Sequence, residues 1–385
     1  MSDPFASAKL GPVTLRNCII KAATFEGRTP KRVVTDDLIE FHRRVAAGGV
    51  GMSTVAYCAV SREGTTDGRN IVLTGDAVPG LLRLTDAIHS EGAAACAQIG
   101  HSGPVANPAG TRSPALGPSR VFAPISLKLT RAMSEADIAR VTGDFAAASK
   151  AAVAGGFDAL ELHLGHNYLL SAFLSPKLNK RRDRWGGDIE SRAAFPRRVV
   201  KVVREAVGSD VAVTAKLNMA DGVRGGLQED ESIAVAQMLE ADGALDAITL
   251  TGGSSLVNPM YLFRGDVPIA EMAQTMPPVM RAGFRLTARR FMRSYPFEEA
   301  YFLPQARRFR AALKMPLVLL GGINRLDTIT SALDEGFSFV AMARALLCEP
   351  ELPIKMRADA ATQAACIHCN KCMPTIYTGT RCVIV

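Results

Sequence analysis

The chain has 385 residues, and 48% of them are hydrophobic, so a large core can be buried and disorder is not expected. No apolar run reaches membrane-spanning length, and the first ten residues lack the charged and then apolar pattern of a signal peptide, so we expect a soluble, cytoplasmic protein with no membrane partner. The net charge is +8, but no nucleic-acid-reading motif accompanies it, so we expect no nucleic-acid partner.

Eight short apolar or β-branched segments alternate with helical patterns along the chain. They lie at residues 18–23, 51–57, 93–99, 158–163, 211–217, 247–251, 317–321 and 339–343. One helix is expected to begin at Ser134, with Asp137 three residues later, and to end at residues 154–156. This alternation predicts an α/β fold in which helical crossovers join parallel strands.

Eight such repeats favour a closed (β/α)8 TIM barrel over an open sheet. We expect the barrel to occupy residues 1–357. Residues 358–385 would form a short cysteine-rich C-terminal appendage, with no additional nucleotide-binding domain.

Titratable side chains follow the fourth predicted strand, at the end where TIM barrels place their chemistry. They are His163, His166 and Tyr168. An uncharged histidine ring can still donate a hydrogen bond. Two such donors on one oxygen, with a tyrosine hydroxyl nearby, suit a carbonyl that is polarised and then protonated. Taken alone, the spacing of the two histidines is more typical of a structural pair.

The residues beyond Tyr168 change that interpretation, because they combine many fixed spacings in a short stretch. They are Leu174-Ser175-Pro176, Asn179, Arg181, Asp183, Trp185-Gly186-Gly187, Glu190 and Arg192. This pattern closely resembles the signature of the Old Yellow Enzyme family of FMN-dependent barrels, nearest to the branch of 2,4-dienoyl-CoA reductase and trimethylamine dehydrogenase. The resemblance implies that His163 and His166 hold the substrate oxygen and that Tyr168 donates the proton.

The resemblance also implies contacts with the flavin ring on four other strands. In the family, the segment at Ala23 and Thr24 lies beside the ring, and Thr24 would bond its pyrimidine edge. Ala56 matches a small residue that lets the flavin approach, and Gln98 would bond the polar edge of the ring. Lys216 stands where many relatives place an arginine close to flavin N1 and O2.

A positive charge at Lys216 would stabilise the anionic reduced flavin, although a lysine supplies that charge as a point and without the two-pronged geometry of arginine. The alternative is a buried lysine that is bonded only to backbone atoms.

The last two predicted strands run into a glycine pair and an arginine, as Gly321-Gly322 and Ala343-Arg344. Backbone N–H groups of a glycine turn favour an anion, and TIM barrels often bind phosphate between their last two βα loops. We therefore expect Gly321, Gly322, Ala343 and Arg344 to hold the phosphate of FMN.

The sixth connection, residues 255–315, is unusually long for a barrel loop and is expected to cap the active site. Its second half is basic, with eight arginines and two glutamates between residues 281 and 310. This surplus suits an anionic substrate, a phosphate-bearing cofactor or a protein contact. A solvated helical face is an equally good alternative.

Four cysteines lie in the last twenty residues, at Cys366, Cys369, Cys372 and Cys382. Three thiolates on one tight loop and a fourth from a nearby turn can ligate an iron–sulfur cluster. The CIHCNKC segment resembles the one that binds a 4Fe–4S cluster in the dienoyl-CoA reductase branch. Structural zinc and reduced, unliganded thiols are the alternatives.

These features predict an FMN-dependent oxidoreductase that takes electrons from NADH or NADPH and reduces the activated C=C bond of a small enone or enoyl substrate. An amine or demethylating dehydrogenase that passes electrons through a tail cluster is the alternative enzyme. A non-catalytic flavin electron-transfer or redox-sensing protein is the alternative from another class. An electron-transfer protein and a second copy of the chain are the candidate protein partners.

Overall fold

Eight parallel strands close into a barrel in the computed structural model, which describes residues 2–111, 113–124, 127–290 and 292–385. The strands are β1 (Ile19–Lys21), β2 (Met52–Ala59), β3 (Ala94–Gly100), β4 (Ala159–Leu164), β5 (Ala212–Asn218), β6 (Ala247–Thr251), β7 (Leu317–Leu320) and β8 (Phe339–Met342). Each strand pairs with the next, and the pairing of Val340 with Ile19 joins β8 to β1 and closes the ring. The predicted (β/α)8 barrel is confirmed, and each predicted strand segment overlaps one of these strands.

Helices follow the strands and cover the outside of the barrel. They are α1 (Asp36–Ala47), α2 (Val78–His89), α3 (Glu135–Ala154), α4 (Ile189–Val207), α5 (Glu229–Asp242), α6 (Leu303–Ala312), α7 (Leu326–Asp334) and α8 (Leu352–Ala358). From α1 to α6, each helix packs against the next one along the chain. As predicted, α3 begins after Ser134, whose side chain forms a capping box with Asp137, and it ends at Gly155.

Both faces of the barrel strands are buried, which explains why their sequences run apolar without alternation. Every residue of β2, β4, β5 and β6 is buried. One face packs against the helices and the other fills the barrel interior. The interior-facing side chains include charged residues, and the packed layers around them keep these charges away from water.

Shorter strands lie outside the ring. They are the hairpin Ala8–Leu10 with Val13–Leu15, the pair Phe122–Ala123 with Lys128–Leu129, the pair Leu116–Gly117 with Arg131–Ala132, and Ile71–Val72 beside β2. Further short helices are Pro30–Arg32, Gly75–Ala77, Gly103–Val105, Pro108–Thr111, Leu169–Leu174, Arg344–Cys348 and Met373–Tyr377. Within the described ranges, no helix combines the length and the apolar character that a membrane span needs.

The long sixth connection separates into an insert and a barrel helix. The insert, residues 252–302, holds the short helices Pro259–Tyr261, Ile269–Gln274, Pro278–Thr287 and Ala288–Arg290, and α6 follows it. Three of the eight arginines lie on α6, where Arg307 pairs with Glu335 and Arg308 pairs with Glu229. Arg307 and Arg308 belong to a solvated helical face, and Arg310 is half-buried and donates to the carbonyl of Met315. The basic character of the insert itself therefore rests on Arg264 and on the five arginines between residues 281 and 293.

The tail, residues 358–385, packs across the barrel and the insert. Asn370 Nδ2 donates to the carbonyls of Phe263 and Asp266, at 2.6 and 2.9 Å. At the other end of the tail, the Thr380 N–H donates to the carbonyl of Glu26 at 2.7 Å. The tail thus connects the loop after β1 to the insert after β6.

Candidate active site

The three predicted catalytic side chains come together at the carboxyl end of β4. His163 lies within β4, and the chain then turns through His166 and Asn167, with positive φ of 58° and 61°. A left-handed conformation costs backbone energy at residues other than glycine and often marks a functional site. Its result here is a compact group, because the His163 ring lies 5.1 Å from the His166 ring and 4.4 Å from the Tyr168 ring, centroid to centroid.

Both histidines are held in the neutral form. Burial lowers the pKa of His163 well below its usual value, and the neighbouring His166 and Lys216 lower it further. Burial and Lys216 lower the pKa of His166 to about 3. A neutral imidazole carries one N–H donor, so each ring can donate a hydrogen bond to a substrate without supplying a proton.

The two rings differ in their partners. His166 Nε2 lies 3.0 Å from Thr251 Oγ1, and the backbone N–H of His166 donates to Asn218 Oδ1 at 3.0 Å, so this residue is fixed by β5 and β6. His163 Nδ1 is buried and has no hydrogen-bond partner among the described residues. A buried polar atom without a partner is costly, and a ligand that hydrogen-bonds to it removes that cost.

Tyr168 is the proton-bearing group of the site. Burial raises the pKa of its hydroxyl above the usual tyrosine value, so the phenol stays protonated at neutral pH. A second tyrosine, Tyr57 at the end of β2, packs edge-on against it at 5.3 Å between ring centroids. Tyr57 Oη donates to the carbonyl of Gly64 at 3.2 Å, so its ring is held as a wall beside Tyr168 and His163. Sequence reasoning missed Tyr57, although it directly follows the predicted flavin contact Ala56.

The predicted flavin-ring residues from β1 and β2 lie next to this group. Ala23 and Ala56 pack in one apolar cluster with Tyr57 and Tyr168. A buried carboxylate, Glu26, organises the loop after β1. It accepts hydrogen bonds from the Ala56 N–H at 2.9 Å and from the Thr24 hydroxyl at 3.1 Å. The hydroxyl of Thr24 is thereby turned towards the protein, and only its acceptor capacity remains for a ligand.

Gln98 and Lys216 both contact Glu161 inside the barrel, and sequence reasoning missed this glutamate. Lys216 Nζ lies 3.0 Å from Glu161 Oε1, and Gln98 Nε2 donates to the same oxygen at 2.8 Å. The alternative in which Lys216 is bonded only to backbone is therefore wrong. A glutamate in the middle of a strand gave no sequence signal, because its partners come from other strands.

The predicted phosphate residues lie at the ends of β7 and β8. Gly321 and Gly322 adopt positive φ of 112° and 75°, and a Cβ on either would lie 2.6 Å from the ring of Phe302 or Tyr301. These positions require glycine. Ala343 precedes the short helix that begins at Arg344.

Arg344 faces the insert and the tail, since its Nη1 donates to the carbonyl of Arg264 at 2.8 Å and to Asn370 Oδ1. Neither Arg264 nor Arg344 pairs with a carboxylate in the described part of the chain.

Arg264 is a second basic residue at this end of the barrel that sequence reasoning did not single out. Its guanidinium lies among four aromatic rings, at 4.9 to 6.0 Å from their centroids; the rings belong to Tyr261, Tyr295, Tyr301 and Phe302. Its Nε is buried without a hydrogen-bond partner in the described residues. Rings from distant parts of the insert build this cage, so local sequence gave no indication of it.

The tail cysteines do not form a metal-holding group. Among the residues that the structure describes, no three His, Cys, Asp or Glu side chains are arranged to hold a metal ion. Burial and the neighbouring Cys382 thiol raise the pKa of Cys348 to about 12, and burial raises the pKa of Cys372 to about 11. These two thiols stay protonated at neutral pH and are poor nucleophiles.

Comparison with known proteins places these features in a family. Residues 4–252 match the sequence profile of the NADH:flavin oxidoreductase / NADH oxidase family. The chain is 58% identical over 380 residues to a 4,4'-dithiodibutanoate disulfide reductase of Rhodococcus erythropolis, covering 99% of this chain and 94% of that one. It is 34% identical over 380 residues to a metal reductase of Desulforamulus reducens, covering 98% of this chain but only 52% of that one, so it spans about half of that relative.

A solved structure of an Old Yellow Enzyme homologue from Zymomonas mobilis has the same fold. The TM-score is 0.76 at 21% identity, with 96% of each chain covered. The fold, the signature after β4 and the matched profile agree. The chain belongs to the NADH:flavin oxidoreductase family, that of the Old Yellow Enzymes, and is an FMN-dependent oxidoreductase that takes its electrons from NADH or NADPH.

Proposed function

We propose that this enzyme reduces the activated C=C bond of a small unsaturated carbonyl compound at the group formed by His163, His166 and Tyr168. The observation that carries the proposal is the packing of these three side chains into one compact group. Two neutral imidazoles lie within 5.1 Å of each other beside a phenol that stays protonated. The two imidazoles can donate hydrogen bonds to an oxygen that becomes negative, and the phenol of Tyr168 carries the proton that completes the reduction.

The residues of this chain fit an FMN at the carboxyl ends of the strands. Ala23, Thr24, Ala56, Gln98 and Lys216 would line its ring, and Gly321, Gly322, Ala343 and Arg344 would hold its phosphate. Three observations support this placement: the small side chains beside Tyr168, the ion-paired Lys216, and the glycine pair with positive φ beside an arginine that lacks a carboxylate partner. FMN, when bound, accepts a hydride from NAD(P)H and passes it to the substrate.

The side chains then have separate roles in alkene reduction. His163, which burial keeps neutral, supplies one hydrogen-bond donor to the substrate oxygen. His166, fixed by Thr251, supplies the second donor. As hydride adds to the β-carbon, negative charge develops on the carbonyl oxygen, which both rings stabilise. Tyr168 delivers the proton to the α-carbon, which completes the saturated product.

A disulfide is the second candidate substrate, favoured by the 58% identity to a disulfide reductase along nearly the whole chain, including the insert and the tail. Hydride would add to one sulfur, the S–S bond would break, and the second sulfur would leave as a thiolate that Tyr168 protonates. The raised pKa values of Cys348 and Cys372 disfavour a route in which these thiols attack the disulfide. The caged Arg264 suits a substrate that carries carboxylates.

The remaining sequence predictions stay proposals. They comprise an FMN-binding barrel at residues 1–357, capped by residues 255–315, a separate tail at 358–385, a 4Fe–4S cluster on Cys366, Cys369, Cys372 and Cys382, a cytoplasmic location, an electron-transfer partner and a homo-oligomer. The cluster rests on cysteine spacing and resemblance. The described residues do not fit it as placed, so no step of the reaction is derived through it.

Rapid-mixing kinetics under anaerobic conditions test the proposed function. The enzyme is first reduced with NADH or NADPH and then mixed with 2-cyclohexenone or with 4,4'-dithiodibutanoate while flavin absorbance is followed. Fast reoxidation by the enone supports alkene reduction. Reoxidation by the disulfide alone would move the assignment to disulfide reduction, and reoxidation by neither would overturn both.

A further inference from the structure

We propose that Glu161 is a positioning residue that sets the reduction potential of the bound flavin, because its charge offsets that of Lys216 and its oxygens fix Gln98. This inference rests on the proposed flavin contacts of Gln98 and Lys216. It adds a residue that touches neither substrate nor flavin and acts through the two that do.

The carboxylate of Glu161 collects three donors from three different strands. Its Oε1 accepts from Gln98 Nε2 on β3 at 2.8 Å and lies 3.0 Å from Lys216 Nζ on β5. Its Oε2 accepts from Thr249 Oγ1 on β6 at 2.9 Å. Glu161 stands directly opposite Gln98 in the β3–β4 ladder. One side chain therefore determines where both proposed flavin contacts point.

The charge on Glu161 is retained inside the barrel. The ammonium of Lys216 and the amide N–H of Gln98 both donate to Oε1 and neither can accept a hydrogen bond, which is the pattern of an ionised carboxylate. Glu161 is 6% exposed and Lys216 is 3% exposed, so solvent and salt screen the pair weakly. A second buried pair, Lys21 with Glu26 at 2.5 Å, lies in the same interior and balances its own charge.

The pair then acts on the flavin as two opposed charges. Lys216 favours the anionic reduced flavin, and Glu161 disfavours it. Neutralising Glu161 while keeping its shape leaves the cation without its counter-charge. The reduced state gains stability, and the reduction potential of the flavin rises.

Reduction potentials of four proteins test this inference: the wild type, Glu161→Gln, Lys216→Met and the double variant, each loaded with FMN. Glu161→Gln is expected to shift the potential to more positive values, by about a tenfold change in the preference for reduced over oxidised FMN, which is about 30 mV for a two-electron couple. Lys216→Met is expected to shift it in the opposite direction. The potential of the double variant should be more positive than that of Lys216→Met, because the double variant also lacks the negative charge of Glu161.

Thr249→Val is the matched control, since it removes one hydrogen bond to the same carboxylate and no charge. Its potential should stay near that of the wild type. An unchanged potential in Lys216→Met would remove Lys216 from the flavin and overturn the proposed contact. A second outcome would overturn the role of Glu161 alone. In it, Lys216→Met has a lowered potential, but Glu161→Gln has the potential of the wild type and the double variant has the potential of Lys216→Met. The double variant keeps this test available if Glu161→Gln, with its unpaired buried lysine, does not fold.

Discussion

The ring of His163 lies 4.4 Å from the ring of Tyr168, at an interplanar angle of 68°, in an enclosure of the protein that buries His163 and half-buries Tyr168. The enclosure acts on the two residues in opposite directions. It lowers the pKa of the histidine and raises that of the tyrosine. The site therefore keeps a neutral hydrogen-bond donor and a protonated acid side by side across the neutral pH range.

His163→Ala should weaken the binding of phenol-type ligands, which mimic the enolate oxygen. A hydrogen bond to a charged group contributes roughly 1.5–3 kcal/mol, so the dissociation constant should rise by about 10- to 150-fold. This dissociation constant is measured by titrating the oxidised enzyme with the phenol and following the long-wavelength charge-transfer band. Thr251→Val, which removes only the fixing contact of His166, should have a smaller effect. Equal ligand affinity in His163→Ala and the wild type would take His163 out of the oxygen site.

Arg344→Ala should be purified with less FMN and should recover it when FMN is added in excess. The lost charge-assisted bond to phosphate again corresponds to roughly 1.5–3 kcal/mol. Flavin fluorescence titration of the apoprotein gives the dissociation constant. Arg308→Ala is a suitable control, because Arg308 pairs with Glu229 and Asp230 on the outer face of α5 and α6. Full flavin content with unchanged affinity in Arg344→Ala would contradict the phosphate assignment.

The stability of the folded protein should fall as the pH drops below about 6.5, the pKa of a histidine in an unfolded chain. His166 has a folded-state pKa of about 3, so between these values the unfolded chain binds a proton that the folded protein does not. Its contribution is fully present above pH 6.5 and is lost progressively towards pH 3, amounting to roughly 2 kcal/mol at pH 5 compared with pH 7. Urea unfolding at both values measures this.

His166→Asn provides the comparison for that measurement, because asparagine does not titrate. The variant should lose less stability than the wild type between pH 7 and pH 5, by roughly the same 2 kcal/mol. Identical pH dependence in the two proteins would show that His166 is not held neutral by the fold.

The flavin reactions should not depend on the tail cysteines. Cys372→Ser should keep its FMN and should reduce an enone at the rate of the wild type, since Cys372 lies beyond the last proposed flavin contact and its thiol stays protonated. Iron and sulfide analysis of anaerobically purified enzyme examines the cluster separately. Close to four irons and four sulfides per chain, lost in Cys372→Ser, would support a 4Fe–4S cluster. The absence of iron and sulfide from the anaerobically purified enzyme would rule the cluster out.

The barrel and the three catalytic candidates could be predicted because their signals are local. Each strand is a short apolar run, and His163, His166 and Tyr168 lie within six residues of one another. Glu161 and Arg264 could not be predicted, because their environments are built from residues far apart in the chain. The three donors to Glu161 come from β3, β5 and β6, and the cage of Arg264 combines residues 261, 295, 301 and 302.

The basic stretch between residues 281 and 310 shows a different limit of sequence reasoning. Its composition suggested one surface, but the fold divides it between the insert and α6. The arginines of α6 pair with carboxylates on α5 and beside α7, or bond backbone carbonyls. A count of charges carries no information on which element will supply their partners.

Tyr168 is the proposed proton donor, and the variant Tyr168→Phe tests that role. The substitution keeps the ring, with its packing against His163 and Tyr57, and removes only the hydroxyl. The half-reactions are followed separately by anaerobic rapid mixing. We predict that NAD(P)H reduces the flavin of Tyr168→Phe at nearly the wild-type rate, whereas reoxidation by 2-cyclohexenone is slower by about 10²- to 10⁴-fold, the usual contribution of a general acid. Reoxidation at the wild-type rate would show that Tyr168 is not the proton donor.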